Sequence, residues 1–310
     1  MVTIAEEWLN SCSGCEIALL NLGETLLDLL PDLSFVHIPV LADNKYYGQT
    51  GERSALEIPK AQVGIISGGV RNEEHLEVLH VMRKQTDILV ALGTCATEGG
   101  IPALANLTST ASMREMVYRG QPSTVPGPDP DTEAHHLPRM LERCDALHQH
   151  VAVDLSIPGC PPHPDWIAEA IGALLAGRAP KLPSRSVCDG CPTYRTGKSS
   201  SPALHRLLDQ PAYDADQGLD AMQCLLEQGF MCLGPVTRRG CGGRTGSPRC
   251  ISARVPCRGC YGRISAHTMP MVDYVGALTS VGQNFAAMPD KQGYLSRFDG
   301  SEAILKKLED

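Results

Sequence analysis

Cysteine is the residue type in this chain whose number and spacing could do chemistry. The 310 residues include 13 cysteines: Cys12, Cys15, Cys95, Cys144, Cys160, Cys188, Cys191, Cys224, Cys232, Cys241, Cys250, Cys257 and Cys260. Twelve divide into three sets of four and Cys144 is left over, reading as an ordinary free thiol. Each 4Fe–4S cubane takes four thiolates, so three such sets on one chain point to three iron–sulfur clusters. A row of clusters is a path for electrons.

Zinc is the other metal that such motifs could hold. A single C-x-x-C is shared by zinc sites and redox proteins, and zinc ribbons set their two knuckles about 15–20 residues apart. Here 65 residues lie between Cys191 and Cys257. Proline follows Cys160 and Cys191 directly, as it does at the end of ferredoxin-type runs. Both facts favour iron–sulfur over zinc. A disulfide framework is disfavoured by the odd cysteine count and by the opening Met1–Trp8 stretch, which has no basic segment leading into an apolar one. The expectation is a cytoplasmic chain with reduced thiols.

Elements must bring sequence-distant cysteines together. The first 180 residues alternate short apolar runs with helical patterns, the mark of an α/β fold with a parallel sheet. Strands are predicted at Ser34–Val40, Val63–Val70, Ile88–Leu92 and Val151–Ile157. A further strand is expected before Cys12, although Glu6 and Glu7 make it a poor buried run. Helices are predicted over Glu16–Leu30, with Ile17, Leu20, Leu27 and Leu30 at helical spacing, after the Asn72 cap, and over Asp165–Ala176. Cys12 and Cys15, Cys95 and Cys160 then follow strand ends, where open α/β sheets bind ligands. Gly14, Gly93 and Gly159 beside them allow backbone amides to approach sulfur.

Residues 106–150 interrupt this pattern with the proline-rich loop Gln121–Thr132 and a polar, helical-looking stretch containing His135, His136 and Cys144. After the linker Lys181–Ser184 the apolar periodicity fades. The last 130 residues therefore look unable to bury a large core and read as organised around metal centres. The division expected is 1–180 and 181–310.

A formal charge of −8 and a pI near 5.7 argue against a nucleic-acid footprint. No apolar run approaches a membrane span. No G-x-G-x-x-G follows a strand and no P-loop is present, so neither nucleotide nor flavin binding is supported.

The cysteine motifs together resemble the small, electron-transferring subunit of nickel–iron hydrogenases. The matching pieces are Ser11-Cys12-Ser13-Gly14-Cys15-Glu16, Gly93-Thr94-Cys95-Ala96, Pro158-Gly159-Cys160-Pro161-Pro162, Cys188-Asp189-Gly190-Cys191-Pro192, Cys232 to Cys241 and Pro256-Cys257-Arg258-Gly259-Cys260, in the family's order. The resemblance implies a flavodoxin-like N-terminal domain with a proximal 4Fe–4S cluster on Cys12, Cys15, Cys95 and Cys160. It implies a medial 4Fe–4S cluster on Cys241, Cys250, Cys257 and Cys260, and a distal one on Cys188, Cys191, Cys224 and Cys232, both in a small irregular C-terminal iron–sulfur domain.

Two departures from the exported members stand out. Cys188 occupies the place where those often have a histidine ligand, and Cys250 the place where they often have proline beside a three-iron cluster. An all-cysteine set is similar to the cytosolic, multi-subunit branch, above all the methyl-viologen-reducing type associated with heterodisulfide reductase. By this resemblance the nickel–iron centre sits on a large-subunit partner, and electrons leave to an iron–sulfur or flavin acceptor subunit. An NAD(P)-linked hydrogenase, a single-cluster quinone-reductase subunit and, from another class, a zinc-stabilised scaffold without redox chemistry are the alternatives.

Glu16 is a candidate neighbour of the proximal site, or simply a glutamate placed by the helix dipole. His163 reads as a loop residue rather than a ligand. His135, His136, His148 and His150 read as solvated positions. Arg238, Arg239 and Arg258 either offset cluster charge or are ordinary surface cations.

Overall fold

The computed structural model describes residues 1–125, 127, 136–206 and 208–301. Seven strands form: β1 (Val2–Trp8), β2 (Leu33–His37), β3 (Ala61–Ser67), β4 (Val70–Asn72), β5 (Thr86–Leu92), β6 (Met140–Asp145) and β7 (Leu155–Ile157). Five of them make one sheet in the order β2-β1-β3-β5-β7, every pairing parallel. Helices α1 (Gly14–Leu20), α2 (Glu24–Leu29), α3 (Glu73–Gln85), α4 (Thr94–Glu98), α5 (Thr110–Glu115) and α6 (Pro164–Leu175) accompany it.

The two-residue period of the strands sorts their side chains onto two faces. Ile4, Val63, Ile65, Val90 and Leu92 pack with Ala18 and Leu19 of α1 and with Ile167 and Ala170 of α6. Ala5, Ala61, Ile66, Leu89 and Ala91 pack on the other side with Val78, Leu79 and Met82 of α3. Both faces are covered, which explains why these strands read as continuous apolar runs. Asn72 caps α3, its side chain accepting from the His75 N–H at 2.8 Å.

Four expectations need correction. The helix predicted over Glu16–Leu30 breaks at Gly23, whose φ of 59° is open to glycine and strained for other residues. Ile17, Leu20, Leu27 and Leu30 do not face the core: they are 55%, 48%, 64% and 41% exposed. The strand predicted over Val151–Ile157 shortens to its last three residues. The stretch read as helical around Cys144 is β6, antiparallel to β4, and His135 lies outside the described residues. The pairing with β4 decides it.

The C-terminal part also departs from its reading. It holds α7 (Arg249–Ser252), α8 (Pro270–Ser280) and α9 (Lys291–Leu295) between long irregular segments. Val187, Met222, Leu225, Phe230, Met231, Leu233, Ile251, Tyr274, Leu278 and Tyr294 nevertheless form a continuous buried cluster with Cys232 and Cys257 in it. Most of these apolar residues come from irregular segments, joined by Ile251 of α7, Tyr274 and Leu278 of α8 and Tyr294 of α9, so no long periodicity announced them. The chain then returns to the N-terminal part: Arg143 of β6 donates to the Ser301 carbonyl at 2.8 Å and Asn106 to that of Gly300 at 3.3 Å.

Candidate metal centres

The carboxyl ends of β1, β5 and β7 place the first four cysteines. Cys12 lies in the loop after β1, Cys15 on α1, Cys95 on α4 directly after β5, and Cys160 just past β7. Burial, then Glu16 and the neighbouring sulfurs of Cys95, Cys160 and Cys12, hold the Cys15 thiol far above its usual range. Burial, then Cys160 and Cys12, push Cys95 up to about 12. The four thiols thus lie close to one another. A Cβ at Gly93 would run into Cys15 Sγ, and one at Gly100 would stand 2.7 Å from Cys95 Sγ. Glycine here keeps the backbone close to sulfur.

The loops after residue 186 gather the other eight into two groups. Cys188, Cys191, Cys224 and Cys232 line one cavity of about 510 Å³. Burial pushes Cys188 up to about 12, against the pull of Arg195 and with the push of Cys224 and Cys191. The other group is Cys241, Cys250, Cys257 and Cys260: burial, then Cys241, Cys250 and Cys160, push Cys260 up to about 12, and Cys257 neighbours Cys260 and Cys250.

Amides are directed at many of these sulfurs. The Arg249 N–H donates to Cys241 Sγ at 3.4 Å and the Cys257 N–H to Cys232 Sγ at 3.3 Å. Leu226 and Glu227 amides favour the Cys224 thiolate, and that of Ile101 the Cys95 thiolate. Four thiolates wrapped in amide donors fit an anionic iron–sulfur cluster, whose charge such donors stabilise. Among the described residues no group of three or more His, Cys, Asp or Glu is arranged to hold a single metal ion.

The groups are linked in series. Cys260, of one group, is reached by Cys160 of the first, whose amide favours the Cys260 thiolate. Cys257, in the same group as Cys260, donates to Cys232 of the cavity group. The order across the molecule is therefore the Cys12 set, the Cys241 set and the Cys188 set.

Glu16 is 4% exposed and accepts a hydrogen bond from the Ser67 hydroxyl, with Cys15 beside it in sequence. His163 caps α6, Nδ1 accepting from the Asp165 N–H at 3.2 Å. His136 and His148 are exposed and His150 half-buried, all apart from the cysteine groups. Cys144 is fully buried, with Asn10 Nδ2 donating to its sulfur at 3.4 Å. Arg238 is turned to the Arg263 carbonyl at 3.1 Å, and the Arg239 guanidinium packs over Gly190.

Sequence reasoning did not single out Arg195, the cation nearest Cys188, or Arg249, whose amide serves Cys241. Arginines in loops carry no spacing signal. It also counted Glu6 and Glu7 against a buried strand, yet they are buried at 2% and 1% in β1. Glu7 is met by His37 Nε2 at 2.5 Å and by the Tyr46 hydroxyl at 2.8 Å, partners from distant segments that make a buried polar group tolerable there.

Comparison with known proteins agrees with this arrangement. Residues 12–174 match the family model described as NADH ubiquinone oxidoreductase, 20 Kd subunit. The chain is 36% identical to a subunit of the vhu F420-non-reducing hydrogenase of Methanocaldococcus jannaschii, over 99% of both chains. It is 32% identical to the corresponding F420-non-reducing hydrogenase subunit of Methanothermobacter marburgensis, over 94% of this chain and 89% of that one. A solved structure of an NAD+-reducing [NiFe]-hydrogenase in the H2-reduced state matches with a TM-score of 0.53 at 33% identity. That match takes in 95% of its chain but 59% of this one, so this protein carries a large part that the NAD+-reducing relative lacks. Parallel sheet, cysteine groups and near-full-length relatives agree: the chain belongs to the small-subunit family of nickel–iron hydrogenases, in the F420-non-reducing branch.

Proposed function

We propose that this subunit relays electrons through three 4Fe–4S clusters, between the nickel–iron site of its large subunit and a separate acceptor subunit. Cys12, Cys15, Cys95 and Cys160 would hold the proximal cluster, Cys241, Cys250, Cys257 and Cys260 the medial one, and Cys188, Cys191, Cys224 and Cys232 the distal one. Each cluster, when bound, takes up and gives back single electrons. The remaining work is done by the chain: it spaces the sites, wraps them in amides and keeps water from the more buried sulfurs.

The observation that carries this reading is the serial linkage of the groups, from the Gly159–Cys160 segment through the Thr94 hydroxyl to the Cys260 carbonyl, and from the Cys257 N–H to Cys232 Sγ. Isolated zinc knuckles have no need of such contact. The same reading divides the chain into a flavodoxin-like domain, 1–180, and an iron–sulfur domain, 181–310.

The large subunit would seat at the proximal end. Ile17, Leu20, Leu27 and Leu30 expose their side chains on α1 and the segment after it, and Trp8 adds 43% of its surface at the end of β1. Such an apolar face beside the Cys12–Cys15 loop is what a lasting subunit interface covers. The acceptor, an iron–sulfur or flavin subunit, would approach the cavity of the Cys188 set. Among the described residues no helix is long and apolar enough to cross a membrane. The cytoplasm is the proposed compartment, because its reducing thiol pool keeps such cysteines free for iron.

Iron analysis of the anaerobically purified complex tests the central claim. About twelve irons belonging to this subunit, three clusters of four, are expected. Stoichiometric zinc in a colourless protein, or a single cluster, would overturn it.

A further inference from the structure

Thr94 precedes Cys95 and is 1% exposed. Its Oγ1 donates to the Cys260 carbonyl at 2.7 Å and accepts from the Gly159 N–H at 2.9 Å, while its own N–H donates to the Gly159 carbonyl, also at 2.9 Å. One side chain therefore ties together three segments: that of Cys95, that of Cys160 and that of Cys260. The first two belong to the proximal set and the third to the medial set.

We infer that the Thr94 hydroxyl is the clamp that fixes the proximal–medial junction, holding the Gly159–Cys160 segment against Cys260 so that electrons cross a constant separation. This rests on the three-cluster reading above. Thr94 is a positioning residue: it acts on the backbone flanking Cys160 and Cys260.

Three features support the role. The hydroxyl serves as donor and acceptor at once, and both of its partners are backbone groups that a methyl could not satisfy. β-Branching restricts χ1, so the hydroxyl is held towards these partners. The clamp also grips Gly159, the residue directly before Cys160, so a shift of Gly159 would move the Cys160 backbone as well. At the medial–distal step the chain needs no such clamp, because the Cys257 N–H bonds Cys232 Sγ directly. The step itself is a one-electron transfer. One site is oxidised and the other reduced, and no bond forms or breaks.

The test uses the whole complex, purified anaerobically, with wild type, Thr94→Val and Thr94→Ser compared. Iron content and the separate EPR signals of the partly reduced wild type test the cluster reading by itself; if three clusters are absent there, that reading fails and not merely the clamp. With the clusters present, the fully reduced wild type should show a magnetic interaction between the proximal and medial centres. Thr94→Val, nearly the same shape without the hydroxyl, should lose that interaction at unchanged iron content, and Thr94→Ser should keep it. A Thr94→Val protein with the wild-type interaction overturns the inference. If Thr94→Val does not assemble, Thr94→Ser decides: an interaction kept at wild-type strength assigns the clamp to the hydroxyl, and a lost one assigns the junction to methyl packing and overturns the proposal.

Discussion

Single residues decide what each site can be. In the proposed assignment Cys250 belongs to the medial set, where its thiolate would make the set four. Replacing Cys250 with Pro should convert the medial centre to a three-iron form with its own EPR signal; an unchanged spectrum would strike Cys250 from the ligands. Glu6 makes a different point. Burial, then the charges of Glu16 and Glu7, push its carboxyl up to about 9 from 4.5. The unfolded chain releases this proton near pH 4.5 and the folded chain holds it to about 9. Folding stability is therefore greatest below that window and falls as pH rises through it, by up to ~1.4 kcal/mol per pH unit. Glu6→Gln should flatten this slope in urea titrations run from pH 5 to 9, and an unaltered slope would show Glu6 to be ionised in the fold.

Elements carry the interfaces. Helix α1 buries Cys15, Glu16, Ala18 and Leu19 and turns Ile17 and Leu20 outward, the reverse of what their spacing predicts for a helix docked by its most apolar stripe. The short helix has apolar residues on both sides. One side meets the sheet and the other is left for a partner. Ile17→Asp with Leu20→Asp should weaken binding of the large subunit at least about tenfold, since each charge forfeits ~1–3 kcal/mol of apolar burial. The subunit alone should keep its fold by circular dichroism. Co-purification at wild-type yield would place the large subunit elsewhere. At the far end, replacing Cys188 with Ser should damage the distal centre. Reduction of the physiological acceptor should then fall steeply while isotope exchange between dihydrogen and water, which needs the nickel site alone, persists. Loss of both with all the iron would make the set structural.

At the scale of the whole molecule, the sheet and the cysteine-rich part are joined by hydrogen bonds and an ion pair. Arg263 Nε donates to Glu98 at 2.8 Å with both side chains nearly buried, Trp166 Nε1 donates to the Gly240 carbonyl at 2.8 Å, and Tyr261 accepts from the His163 N–H at 2.7 Å. Removing one partner of a buried ion pair costs ~3–5 kcal/mol. Glu98→Ala should therefore lower the denaturant midpoint and separate unfolding into two phases, one reported by the cluster absorbance and one by the helix signal. A single unshifted transition would show that the junction does not depend on this pair.

Residue types and local spacing were enough to read an iron–sulfur subunit, the parallel sheet and the Asn72 cap, because these follow from short-range rules: cysteines in tight motifs, apolar runs for covered strands, Asn72 before two glutamates for a helix start. The break at Gly23, the β4–β6 pairing around Cys144 and the buried C-terminal cluster were not legible, since each depends on partners brought from elsewhere in the chain. Glu6 and Glu7 looked unfit for a buried strand until His37 and Tyr46 were seen to reach Glu7 and burial to keep Glu6 protonated. The sequence determined that this protein would carry cysteine-bound redox centres on an α/β frame. Only the tertiary structure decided which thiols lie close to one another, in which order the three groups touch, and that a threonine hydroxyl joins the first two, because a hydrogen bond between residues 94 and 260 has no trace in local pattern and exists only once the two parts have packed.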